Sequence, residues 1–415
     1  MPNHTLKAAS ATAQASILVS LLPIIGVVFV AYLVIGLALP VLPLHVHEGL
    51  GHSTFIVGIV AGSQFEIAVF TRAWTGYYAD SRGAKHAVVV GLLVAVLSGL
   101  CYLLSLLFLN RPALSVTILL LGRMLLGVGE NFIITGALSW GLALGGTQNT
   151  GKVMSWVGTA LYAAFAIGAP IGTALYASNG FAAIALAATL IPLVTLFLVA
   201  PQRAIAPSLK ARPSFAKVIG AVWLPGVGLA ISGVGFGAVT TFLVLLFAKH
   251  GWGQAWLAIT LLSIAFIVGR VFFGHLPDKS GVKVALVCIL IEAVGQALIW
   301  LAPQPALAFV GVTLTGLGYS LVYPSFGVEA LRRAPVDSRG MAMGAFTSFL
   351  DLSLGLTGPA LGLVASGVGL DSVFLASTLI VMCSLAIAAR LLFVPSTLEK
   401  AVGATHENLN DNVVE

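Results

Sequence analysis

Arg72-Ala-Trp-Thr-Gly76-Tyr-Tyr-Ala-Asp80-Ser-Arg82-Gly83-Ala-Lys85 decides the fold, because the same frame returns 198 positions later. The second copy reads Arg270-Val-Phe-Phe-Gly274-His-Leu-Pro277-Asp278-Lys279-Ser-Gly281-Val-Lys283. Arginine, glycine, aspartate, glycine and lysine stand at matching offsets, and each copy closes an apolar stretch. A polar connector repeated at half-length in so apolar a chain marks two homologous halves embedded in a membrane.

Of the 415 residues, 59% are hydrophobic and only 8% charged. These charges are too few to cover a soluble surface, so the solvent for most of the chain is lipid. A helix crosses the hydrocarbon core with about 20 apolar residues. The apolar runs here are continuous and lack two-residue alternation, which selects helices over a barrel. The formal net charge is +6, but its distribution is one-sided. With the N-terminus taken as cytoplasmic, Arg111 and Lys249 fall in outer loops and Arg123 inside a span, and the other Lys and Arg lie on or facing the cytoplasmic side. This positive-inside bias accounts for the charge without a nucleic-acid partner. The expected location is a bacterial inner membrane, with both termini cytoplasmic. Cys101, Cys288 and Cys383 sit in separate spans with no metal or disulfide spacing. No metal, cofactor or enzymatic activity is expected.

Twelve spans are expected. In the first half (1–200) they fall at 17–43, to about Tyr78, and at 87–109, 114–144, 153–176 and 181–200. The first is too long for a signal-peptide core. A linker with three prolines covers 201–217. In the second half (218–394) the spans fall at 218–247, 256–273, 284–302, 307–330, 340–365 and 372–393, before a polar tail at 395–415. A second set of matches, offset by 189, pairs Gly127 and Gly129 with Gly316 and Gly318, and Gly151, Met154 and Pro170 with Gly340, Met343 and Pro359.

The frame at 72–85 resembles the signature loop between the second and third helices of the major facilitator superfamily. Arg123-Met-Leu-Leu-Gly127-Val-Gly129 resembles that family's fourth-helix arginine motif. Gly168-Ala-Pro170-Ile-Gly172 is similar to the glycine-proline motif of the fifth helix in antiporter branches, without its full spacing. The resemblance covers residues 15–394 and points to the YhhS-type bacterial permeases, an exporter-like branch. It implies an all-α membrane protein of twelve transmembrane helices in two pseudo-symmetric six-helix halves, a functional monomer working by alternating access about a midplane site.

Three groups of residues carry the functional expectation. In the loop frame, Gly76 and Gly83 permit a tight turn and close helix contact, and Asp80 can accept hydrogen bonds from a neighbouring helix terminus or from Arg82. With Lys85, and Asp278 as the second-half counterpart, they are expected to form a cytoplasmic gate. Arg82, Lys85 and Lys279 also serve topology. In the fifth span, Pro170 removes an intrahelical hydrogen bond, while Gly168 and Gly172 allow close packing. In the family this bend packs against the partner half and is associated with export.

The third group is the intramembrane charges, each costing on the order of 3 kcal/mol or more to bury in lipid. Arg123 and Glu130, seven residues apart, share one helix face with Gly127 between them. Glu66 lies mid-span in helix two and Asp351 in helix eleven. The fold implied by the resemblance turns helices four and eleven toward the cavity, so Glu130, Asp351, Glu66 and Arg123 are the proton-coupling candidates. Glu292, on the more peripheral helix nine, is expected to reach a helix end or a polar partner. The first span lacks the acidic residue of many drug–proton antiporters. Tyr32, Asn131, Trp140, Trp156, Tyr162, Phe236, Tyr319 and Tyr323 are candidates for a substrate wall, though such residues are also packing groups or interfacial anchors.

Two patterns are decoys. Gly146-Thr-Gln-Asn-Thr-Gly151-Lys152 approaches a P-loop, but Val153 replaces the Ser/Thr and a membrane helix precedes it. His45-Val-His47-Glu48 reads as a solvated loop rather than a metal site. With no ATPase motif, the function expected is gradient-driven efflux of a small organic solute, a sugar or drug-like compound, against protons. Proton-coupled uptake, or a receptor or scaffold on a permease body, are the alternatives.

Overall fold

The computed structural model describes residues 21–145, 150–202, 204, 215–334 and 339–393. Most of the Gly146–Lys152 run, most of the 201–217 linker and the whole 395–415 tail lie outside them. The described residues form an all-α membrane protein. Its helices are α1 Leu21–Gly49, α2 Thr54–Arg82, α3 Ala84–Leu106 and α4 Pro112–Gly145. Next comes Thr150–Val199, whose 50 residues are far too long for one crossing. It breaks at Gly180 (φ 63°, ψ −162°), giving two limbs, α5 and α6. The rest are α7 Phe215–Lys249, α8 Ala255–Phe273, α9 Leu276–Trp300, α10 Pro305–Arg333, α11 Arg339–Gly367 and α12 Leu370–Phe393. Counting both limbs gives twelve transmembrane helices, six before the linker and six after it.

The first copy of the repeated frame makes the expected turn in a single residue. Between Arg82 and Ala84 only Gly83 is non-helical, at φ 99° and ψ 148°. That backbone region is nearly closed to residues with a Cβ and costs about 1–3 kcal/mol to occupy. Gly83→Ala should therefore lower the melting temperature of the purified protein, whereas Gly76→Ala, whose Cβ would meet open space, should cost far less.

The second copy departs from the first. Helix α9 starts at Leu276, eight residues before the expected boundary, so the frame from Pro277 to Lys283 lies inside its first turns, distorted at Ser280 (φ −150°, ψ 48°). Proline is at home in a first helical turn, and Asp278 there meets the positive end of the helix dipole. The end of α1 is a second departure. His45–Gly49 is a π-helical turn continuing the helix, not a solvated loop, and His45 is buried, stacked on Phe181 at 4.0 Å.

Two compact units result. One holds α1, the part of α2 from Phe70 onward, and α3 to α6. The other holds Ser53–Val69 at the start of α2 together with α7 to α12. Within each unit, glycines permit close helix approaches, as expected where lipid supplies no hydrophobic drive and packing must do so. A Cβ on Gly129 of α4 would stand 2.8 Å from the Gly91 carbonyl oxygen of α3. Its partner by the 189 offset, Gly318 of α10, would meet the Cys288 carbonyl oxygen of α9 at 2.5 Å. The internal repeat is thus visible in packing as well as in sequence.

Candidate functional site

In the first unit, α4 carries the polar residues. Arg123 is buried at 4% exposure, Glu130 is half-buried, and Asn131, 2% exposed, donates from Nδ2 to Thr71 Oγ1 of α2 at 3.0 Å. Seven residues of helix separate Arg123 from Glu130 along one face, a rise of about 10 Å. On α1 and α5, Tyr32 and Tyr162 both pack on Phe165, with ring centroids 6.0 and 5.9 Å away. Trp156 does not join them and is 44% exposed. Trp140 is buried beside an apolar crevice with Pro23, Ile24, Val27 and Ala137.

The glycine-proline motif of α5 meets α1 of its own half, where the family resemblance implied packing on the partner half, and it does so through close backbone contacts. A Cβ on Gly168 would lie 2.7 Å from the Gly36 carbonyl carbon of α1, and one on Gly172 would overlap the Leu37 carbonyl oxygen. Pro170 sits between them without interrupting the helix. At the other frame residues, Lys85 Nζ donates to the Ala200 and Gln202 carbonyl oxygens at 2.7 Å each, capping the end of α6. Asp80 is half-buried, whereas Arg82 and Asp278 are exposed. Arg332 reaches the backbone carbonyl of Asp278 at 3.4 Å.

In the second unit, α2 and α11 cross antiparallel through glycine. Gly58 lies against Gly358, and Gly62 against Gly355, so closely that a Cβ on Gly58 or Gly62 would overlap a carbonyl oxygen across the contact. Thr54 Oγ1 and Ser366 Oγ are 2.9 Å apart at one end of this crossing. At the other end, a Cβ on Gly355 would stand 2.7 Å from Glu66 Cγ. Continuing that register by one turn brings Glu66 level with Asp351, which is 7% exposed. Phe236 of α7 stacks on Tyr319 of α10 (5.3 Å, 19°), and the Tyr323 hydroxyl bonds Thr347 Oγ1 of α11 at 2.8 Å.

Glu292 takes the second of its two expected roles, a polar partner, but far deeper than its place along the helix suggests. It reaches no helix end and is 0% exposed, accepting a hydrogen bond at Oε2 from Ser232 Oγ of α7 at 2.8 Å. Two other acidic groups went unnoticed. Glu329, 5% exposed, pairs with Arg333 Nε at 2.7 Å, and Asp371 at the start of α12 takes Lys249 and His250. The Lys249 and Asp371 side chains are 46% and 39% exposed, and such pairs contribute under about 1 kcal/mol. Asp371→Asn should leave the melting temperature within a degree or two.

Comparison with known proteins bears directly on this arrangement. The family model described as Major Facilitator Superfamily matches residues 24–283 and 227–411. An uncharacterised MFS-type transporter of Salmonella typhimurium strain LT2 is 41% identical over 366 residues, covering 88% of this chain and 94% of the relative. The uncharacterised MFS-type transporter YhhS of Escherichia coli K12 is 40% identical over 365 residues, 88% of this chain and 90% of its own. Among solved structures, the nucleoside transporter NupG superposes with a TM-score of 0.73 at 14% identity, covering 90% of this chain and 99% of its own. A D-xylose-proton symporter gives 0.72 at 15% identity, covering 91% and 98%. At such identities these two show the fold alone.

Proposed function

This chain belongs to the major facilitator superfamily, a family of secondary transporters, and we propose that it exports a small organic solute in exchange for protons, by alternating access. The observation that carries this reading is the polar face of α4. Arg123 is buried inside a membrane helix, and Glu130 follows two turns along the same face, beside the Asn131–Thr71 hydrogen bond. Burying charge in a membrane span is costly, so it is kept where it works. A carboxyl that gains and loses a proton beside a fixed guanidinium changes the local field by a full charge, which shifts affinity for a bound solute.

Asp351 and Glu66, level with each other where α2 crosses α11, are proposed as further proton carriers. Tyr32, Asn131, Tyr162, Phe236, Tyr319 and Tyr323 are proposed as substrate contacts; Trp156 is the weakest of that set, being exposed. Asp80, Arg82, Gly83 and Lys85 are proposed to gate the cytoplasmic side, with Gly83 and Lys85 acting through the turn and the α6 cap. The proposed setting is the bacterial inner membrane with both termini cytoplasmic, supported by the one-sided distribution of Lys and Arg, and the proposed working unit is a monomer.

Export is tested by overexpressing the protein in a strain lacking its own efflux pumps and screening growth against a panel of toxic sugars, amphiphiles and drug-like compounds. Raised tolerance to a subset, abolished by a protonophore, is the expected result. Increased sensitivity to that subset would mean uptake instead.

A further inference from the structure

Glu292 occupies a place that a charged carboxylate cannot hold. Its Oε1 has no hydrogen-bond partner, and Oε2 has only the Ser232 hydroxyl. One turn along α9, Gln296 is equally inaccessible; its Nε2 donates to the Gly235 carbonyl (3.1 Å) and to Thr315 Oγ1 (3.2 Å), and its Oε1 is also unsatisfied. Three helices wall the site. From α7 come Ser232 and Gly235, whose missing side chain leaves the space that Glu292 Oε1 fills. From α10 come Thr315 and Gly318, where a Cβ would stand 2.6 Å from the Glu292 nitrogen, and α12 brings Val381 beside Gly235. The titratable neighbours are Cys288, one turn back on α9, and Tyr319, next to Gly318 on α10. Among the described residues no cation faces the carboxyl: Arg270 of α8 lies over the Phe266 ring instead and donates to the Ser320 carbonyl. A lone carboxylate in such surroundings is disfavoured against its neutral form.

We propose that Glu292 is a proton-binding site of the second half, occupied in this conformation, whose proton keeps α7 packed on α9 and α10 behind the Phe236–Tyr319 pair. Gly235 immediately precedes Phe236, and Gly318 immediately precedes Tyr319, so the two backbones that touch Glu292 also carry the stacked rings. Release is a proton transfer from the carboxyl to water, with no other bond changed. The carboxylate left behind needs water or a cation, and the packing admits neither until α7 moves away from α9. That movement carries Phe236 with it. The corresponding place in the first half holds no carboxyl: where Gly318 meets Glu292, Gly129 meets Ala95. That the two rings line a solute cavity rests on the transport reading above; the protonation does not.

The test uses the full-length protein in proteoliposomes, without any solute. Infrared spectra should contain the carbonyl band of a protonated carboxylic acid that persists into alkaline pH and vanishes in Glu292→Gln, an isostere of the protonated form. In Ser232→Ala the band should remain but shift, having lost its hydroxyl partner. An identical band in wild type and Glu292→Gln overturns the proposal, as does an unshifted band in Ser232→Ala.

Helix movement is read at Cys288, which is buried, with Cys383, which is exposed, as internal reference. The ratio of N-ethylmaleimide labelling at Cys288 to that at Cys383 should rise severalfold from mildly acidic to alkaline pH in wild type and stay flat in Glu292→Gln. The negative charge of an ionised Glu292 would by itself slow the neighbouring thiol, so a rise reports opening. Equal pH dependence in both proteins contradicts the proposal. Neither readout needs transport, so failure of the export reading would leave them standing.

Discussion

Gly58→Leu is expected to separate α2 from α11 and to abolish transport. The two helices meet backbone to backbone at Gly58–Gly358 and Gly62–Gly355, and even a methyl on Gly58 would overlap the Gly358 carbonyl. Nothing at that point is a flexible side-chain end, so the whole helix must shift. Overpacking of this kind costs about 1–3 kcal/mol where neighbours can yield, and more where both faces are main chain. The Thr54 and Ser366 hydroxyls, 2.9 Å apart, report the contact directly. A Thr54→Cys, Ser366→Cys pair should cross-link readily under mild oxidation in the otherwise native chain. Adding Gly58→Leu should reduce that yield on the order of tenfold or more, while Gly58→Ala gives an intermediate loss. Undiminished cross-linking in the leucine variant would mean that the glycine contact does not hold the crossing.

The second large effect is expected at Glu130. Glu130→Gln keeps the size and hydrogen-bonding capacity of the side chain and removes its ability to exchange a proton. Gradient-driven efflux should fall on the order of 100-fold, the upper range of ordinary coupling energies. Exchange of labelled for unlabelled solute, which needs no net proton movement, should persist. If both activities fall together, Glu130 supports binding or folding rather than coupling. If neither falls, the α4 carboxyl is outside the transport cycle.

The two-fold repeat, the number of spans and a tight glycine turn in the first frame were legible in the sequence, because each depends on local chemistry. Apolar length sets the spans, and a glycine between two helices sets the turn. Facing was much less legible. A membrane helix is apolar toward lipid and toward protein alike, so hydrophobic periodicity does not mark its inner side. Glu292 illustrates the consequence. Read along α9 alone it is one acid near a helix end, and only Ser232, Gly235 and Gly318, on two other helices, reveal it as fully enclosed. The contact of Gly58 with Gly358 is similarly hidden, since it joins residues 300 positions apart. A usable signal did exist: glycine spaced four apart, at 58 and 62, on a helix that also carries a carboxyl at 66.

Asymmetry between the halves is the more informative feature for function. By the 189 offset, Arg123 and Glu130 correspond to Val312 and Tyr319. The first half carries Arg123 and Glu130 on α4, whereas the second has no charge at those positions and instead a carboxyl, Glu292 of α9, behind Tyr319. The proposed proton carriers thus sit on different helices in the two halves, on a scaffold that otherwise repeats.

The most direct measurement is made in proteoliposomes loaded with a pH-sensitive dye and with a solute identified by the tolerance screen. An imposed proton gradient directed into the lumen should drive solute out, with dye acidification in step, and both signals should disappear in Glu130→Gln. Solute exit that proceeds unchanged when the gradient is collapsed, with no proton entry, would contradict proton-coupled export.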